Sequence, residues 1–251
     1  MRKIFNFLRG MTLSLALLWT LIISAFTILG AYYARKSGRP DALVAFYTTF
    51  VVFANIAASK TIAFDLGFTT LFAPGAVLIF SVTFLLTDIV NERFGKKETQ
   101  GMILIALFAQ IAVVLFSALI VMAKPAPFFT GQGAFETILG SVPRLVFASL
   151  IAFYVSENID AHLFQWFRKL TGGKHLWMRN ALSSLPAMLV DSTLFVTIAF
   201  FGTMPVLQLI IGLSIVKWLV GVVDIPFMYL ARAIVGPGEK NSINNANCLR
   251  G

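Results

Sequence analysis

Residues 101–123, GMILIALFAQIAVVLFSALIVMA, carry no charge over their whole length. At about 1.5 Å of rise per residue a helix of this length reaches across roughly 30 Å, the hydrocarbon thickness of a bilayer. Six further stretches are of similar length and mainly apolar, near 11–34, 42–62, 73–90, 143–166, 179–202 and 206–234. The pattern predicts an all-α integral membrane protein, a bundle of about seven transmembrane helices. Composition agrees: 58% of the 251 residues are apolar and only 12% charged, a balance no soluble domain of this size could bury.

A net charge of +9 and a pI near 9.9 would suggest nucleic acid in a soluble chain. Here the basic residues fall between the apolar runs, where they set orientation, so nucleic-acid binding is not expected. Arg35, Lys36 and Arg39, then Arg93, Lys96 and Lys97, then Arg168, Lys169, Lys174 and Arg179, and finally Arg232, Lys240 and Arg250 fall on one side. The other side holds Lys124, together with Arg2, Lys3 and Arg9 at the N-terminus. This places the C-terminus in the cytoplasm and the protein in the cytoplasmic membrane as a multi-pass chain. Pro40, Pro74, Pro143 and Pro205 stand at predicted helix starts, where a missing N–H costs nothing. The first run, 11–34, is too long for a signal h-region and reads as a retained helix. Residues 236–251 are polar, rich in Asn and without apolar period, and read as a disordered tail.

Some chemistry is absent. Cys248 is the sole cysteine, and His162 and His175 are the only histidines, so neither a disulfide, a metal site nor a cofactor is expected. The chain has no phosphate-binding G-x-x-x-x-G-K-[ST] loop and no hydrolase motif, which argues against an enzyme.

Charges inside apolar helices carry the functional signal, because each is costly at the bilayer centre. Lys217 lies twelve residues after Pro205, and Asp191 twelve after Arg179, so both reach about 18 Å into their helices. The short connection around Gly202–Met204 makes those helices antiparallel neighbours, and the two side chains are expected to meet. Such a pair either serves the solute or merely locks two helices together. Asp88 and Glu157 each lie fourteen residues past a helix-starting proline, towards the cytoplasmic third. Glu92, Asp160 and Asp224 read as solvated boundary residues. Lys60 and Arg144 make the outward mouth basic; Lys60 snorkelling to the interface, or Arg144 anchoring a helix end, explains each equally well. Asn55 offers donor and acceptor together, suiting either an amide-like solute edge or an interhelical bond. A small polar solute is the expected partner, with membrane lipid around the bundle. Self-association as a homo-oligomer stays open.

The segment Phe84–Gly95, FLLTDIVNERFG, resembles the hallmark of the queuosine precursor transporter family, where a helix ends in Thr-Asp with an acidic residue four later and a closing aromatic-Gly pair. The similarity runs through roughly residues 43–233, including Asn55, Arg144, ENIDAHLFQWFR at 157–168, DSTLFVTIAF from Asp191, and Lys217 with Pro226. The resemblance implies a six-helix core at 42–235, with residues 1–41 as an added N-terminal helix and loop. It also implies import of a 7-deazaguanine such as preQ0, preQ1 or queuine. The substrate-binding candidates are then Asn55, Asp88, Arg144, Glu157, Asp191 and Lys217. A carboxylate of Asp88, Glu157 or Asp191 would accept the two adjacent donors of a guanine-like edge, while Asn55, Lys217 or Arg144 would donate to its carbonyl oxygen. The alternative is the substrate-binding membrane subunit of a vitamin uptake system driven by a separate ATPase; an ATPase partner belongs to that reading alone.

Overall fold

The computed structural model describes residues 2–65, 69–170 and 176–235. The tail at 236–251 lies outside the described residues. Eight helices are present among them: α1 (Arg2–Ser37), α2 (Asp41–Ala57), α3 (Val77–Phe94), α4 (Lys96–Met122), α5 (Gln132–Leu139), α6 (Val142–Leu170), α7 (Leu176–Phe200) and α8 (Val206–Val235). A two-stranded antiparallel hairpin, β1 (Thr61–Asp65) and β2 (Thr70–Pro74), stands between α2 and α3.

The hairpin corrects the all-helical reading of 42–62 and 73–90: α2 stops at Ala57 and α3 starts only at Val77. Thr61, Ile62, Phe64, Thr70 and Phe72 are β-branched or aromatic, residue types that suit a pleated surface. Leu71 and Ala73 point inward while Thr70 and Phe72 are exposed. Pro74, expected at a helix start, closes β2 opposite Thr61, an end position where its missing N–H is tolerated. The other three prolines lie where expected: Pro40 and Pro205 just before α2 and α8, and Pro143 at the second residue of α6.

The described chain divides into two compact units. One contains α1, α2, α3, most of α4 and the later part of α8. Its core joins Leu43, Tyr47 and Val51 of α2 to Leu85, Leu86 and Ile89 of α3 and Met102 and Ala106 of α4, with Ala31 and Ala34 of α1 against them. The Arg35 guanidinium donates to the Ile234 carbonyl (3.1 Å), satisfying an acceptor near the end of α8.

The second unit contains the hairpin, the end of α4, α5, α6, α7 and the first part of α8. Its centre is the packing of α6 on α7, with Val142, Leu145 and Val146 from one helix and Phe195, Val196 and Ala199 from the other all buried. On α6 these residues recur at the three- and four-residue spacing that gives a helix one inward face.

The helices differ in how they use apolar residues. On α3, Val77, Leu78, Ile79, Val82, Leu85, Leu86, Ile89 and Val90 are all buried, a broad apolar face turned inward. On α4, by contrast, few residues are buried, and Leu104, Phe108, Leu115, Phe116 and Leu119 all face outward. A helix that apolar and that uncovered cannot face water, and it is long enough to cross a membrane. The run Gln132–Ser156 is likewise long and apolar enough to cross a membrane.

Candidate functional site

In the second unit, α7 and α8 are joined by the turn 201–205, where Gly202 adopts φ +81°, a left-handed conformation that side chains resist. The turn lays the first part of α8 back along α7. Asp191 and Lys217 lie at similar distances from it, and their side chains meet as an ion pair between Lys217 Nζ and Asp191 Oδ2. The meeting expected from counting residues therefore occurs. The pair is not sealed: the Lys217 and Asp191 side chains retain 16% and 23% of their exposure. One contact leaves further donors on the ammonium and further acceptor sites on the carboxylate.

Ser214 stands one helical turn before Lys217, on the same face of α8. It is buried, and its hydroxyl has no hydrogen-bond partner among the described residues. Sequence reasoning passed over it, although its spacing of three residues from an intramembrane lysine was visible.

The hairpin reaches the same helix. A Cβ at Gly212 would lie 2.7 Å from the carbonyl carbon and 2.8 Å from the nitrogen of Phe72, so only glycine admits this approach of β2 to α8. Thr61 adds a hydrogen bond from Oγ1 to Met204 Sδ (3.2 Å) in the α7–α8 turn. Hairpin, turn and ion-pair helix are thus tied together within the unit.

Arg144, near the start of α6, has a different employment. Its Nε donates to the Ile198 carbonyl (2.8 Å) and its Nη2 to the Phe201 carbonyl (2.9 Å). These belong to the orphan acceptors at the C-terminal end of α7, where a cation is also favoured by the helix dipole. Of the two sequence readings, the guanidinium geometry matches the helix-end anchor.

Asn55 lies in the other unit, 2% exposed on α2. Its Nδ2 donates to the Val51 carbonyl (3.1 Å) and to Gln110 Oε1 on α4 (3.0 Å). Gln110 is itself buried. It escaped the sequence reading because one glutamine inside a 23-residue apolar run looks like part of the span. Asn55 Oδ1 has no partner among the described residues. Asp88 falls on α3 and Glu157 on α6, but their side chains lie outside the described residues.

A mostly helical chain with an uncovered apolar helix long enough to cross a bilayer has the make-up of a membrane protein. The chain belongs to the family described as "Putative vitamin uptake transporter", whose model matches residues 74–231. It is 26% identical over 194 residues to the "Probable queuosine precursor transporter" of Bacillus subtilis (strain 168), covering 76% of this chain and 85% of that protein. No solved structure matches the chain.

Proposed function

We propose that the protein imports a 7-deazaguanine precursor of queuosine, such as preQ0, preQ1 or queuine, across the cytoplasmic membrane. In this reading α1, α2, α3, α4, α6, α7 and α8 cross the bilayer and the C-terminus is cytoplasmic. The relative's name supports the substrate class. The observation that carries the reading is the incompletely buried pair of Asp191 and Lys217.

The chemistry of the pair suits a neutral heterocycle. A carboxylate accepts two adjacent N–H donors in one bidentate contact, and the guanine edge supplies them as ring N–H and exocyclic amine. Lys217 and the unpartnered Ser214 hydroxyl are donors for the carbonyl oxygen on the same edge. Asp88 and Glu157 remain the further carboxylate candidates. When the solute leaves, the two charges neutralise each other, so the empty carrier strands no bare charge in the membrane. A cycle that alternates between self-paired and solute-bridged states needs no bound ion and no nucleotide.

The test is uptake of labelled preQ0, preQ1 and queuine by cells unable to make queuosine precursors, scored as queuosine in tRNA, and by liposomes holding only this protein. Uptake in both is expected. Binding without liposome uptake overturns stand-alone transport and favours the ATPase-dependent subunit. Failure of all three solutes overturns the substrate.

A further inference from the structure

We propose that Asn55 and Gln110 form an acceptor-only subsite for an N–H group of the transported solute, with Asn55 Oδ1 as the contacting atom and Gln110 as its positioning residue. The proposal rests on the transport reading above for its solute, and on the geometry of α2 and α4 for everything else.

The backbone of α2 fixes which way the Asn55 amide points. A carbonyl oxygen only accepts, so the amide atom 3.1 Å from the Val51 carbonyl must be the nitrogen. That nitrogen has a second proton, and Gln110 Oε1 takes it at 3.0 Å. Both protons of Asn55 are then spent, and its capacity to donate is exhausted. What remains is Oδ1, an acceptor in a side chain only 2% exposed, with no donor facing it among the described residues. An unpaired buried acceptor is disfavoured, and the group that relieves it must be a donor.

Gln110 is what makes the site single-valued. Without it one amide proton would be free, and the same side chain could serve either a carbonyl or an N–H of a ligand. With it a carbonyl oxygen placed against Asn55 meets only oxygen. The subsite therefore selects pyrrole, lactam, ureido or aryl-amine N–H groups and rejects analogues in which the hydrogen is replaced by methyl. With the guanine-like edge on the carboxylate, a 7-deazaguanine keeps its pyrrole N–H as the donor for this subsite. This reverses the sequence expectation that Asn55 donates to the carbonyl of the base. Thr48 extends the same surface: it lies seven residues before Asn55, two turns along the same face of α2, and its Oγ1 is also buried without a partner among the described residues. Two unpaired polar groups about 10 Å apart on one helix face suit the long dimension of a bicyclic heterocycle.

The experiment uses the full chain, purified in lipid nanodiscs, and measures affinity for three matched pairs of probes: 7-deazaguanine and its N9-methyl derivative, riboflavin and its N3-methyl derivative, biotin and an N-methyl biotin. The wild type is expected to bind 7-deazaguanine at least about tenfold more tightly than its methylated partner. Asn55→Leu is expected to erase that ratio by weakening the parent alone. Gln110→Leu is expected to reduce the ratio, and Gln110→Glu, which keeps an acceptor facing Nδ2, to restore it; a merely structural glutamine would not move the ratio. If Asn55→Leu fails to fold because Gln110 loses its donor, Asn55→Leu/Gln110→Leu carries the same readout. A tenfold ratio that survives Asn55→Leu overturns the subsite and leaves the substrate reading intact. Riboflavin or biotin bound with an Asn55-dependent ratio, and 7-deazaguanine not bound, overturns the substrate and upholds the subsite. No binding of any probe by the wild type overturns both.

Discussion

The two polar centres of the molecule solve the problem of burial in opposite ways. Asp191 and Lys217 bring the most expensive groups into the apolar interior, yet each neutralises the other and both keep some exposure. Asn55 and Gln110 are uncharged and far cheaper to bury, yet their arrangement is incomplete, because two amides held by one hydrogen bond leave an oxygen over. A charge pair is therefore sensitive to the loss of either partner, whereas the amide pair is sensitive to what arrives from outside. The ion pair answers to fold and solute together, the amide pair mainly to the solute.

The strongest break in the comparison removes one charge at a time. Asp191→Asn and Lys217→Gln each leave a partner unpaired and are expected to cost about 3–5 kcal/mol, seen as a large fall in melting temperature or as loss of folded protein. The double variant Asp191→Asn/Lys217→Gln should recover most of the melting temperature and still show no uptake. Full uptake by the double variant would reduce the pair to a helix clamp.

A smaller effect, about 1–3 kcal/mol, is expected for Gly212→Ala, because the methyl group runs into the Phe72 backbone, which has no rotamer with which to yield. Gly101→Ala in α4 is the control: nothing lies within 4 Å of its Cβ position, and removing a helical glycine should stabilise by up to about 1 kcal/mol. Equal melting temperatures for the two variants would mean that the hairpin does not press on α8 as described.

Arg144→Gln sharpens the boundary between fold and route. Two charge-assisted hydrogen bonds at an exposed helix end are worth about 1 kcal/mol together, so a modest drop in melting temperature with uptake retained is expected. Lost uptake at an unchanged melting temperature would return Arg144 to the solute-binding set.

What the sequence disclosed, and what it hid, follows from where the partners of each residue lie. The α4 span was legible because an uncharged run of that length has one physical meaning. The meeting of Asp191 and Lys217 was legible because one short turn fixes the register of two helices, and residue counting then gives depth. The hairpin was not, since five-residue apolar runs such as Thr61–Asp65 and Thr70–Pro74 satisfy helix and strand periods alike, and only their pairing decides. Arg144 was half legible: anchoring a helix end was one of its two readings, but the acceptors, carbonyls of Ile198 and Phe201, are backbone groups that every residue carries. Gln110 was hidden by its own surroundings, because its role depends on the Asn55 amide 55 positions earlier.

The finest distinction concerns stability without solute. Replacing a buried polar pair by apolar groups of similar shape is nearly neutral when the pair was only partly satisfied, since the lost hydrogen bond is offset by removing an orphaned acceptor. Asn55→Leu/Gln110→Leu is therefore expected to melt within about 1 kcal/mol of the wild type, whereas Asn55→Leu alone strands the Gln110 oxygen and should melt lower. If the double variant instead loses stability on the scale of a broken ion pair, the amide bond is holding α2 to α4 and the contrast between the two centres collapses. If it melts like the wild type, the Asn55–Gln110 contact adds little to the fold, and its incomplete geometry is left for the solute to complete.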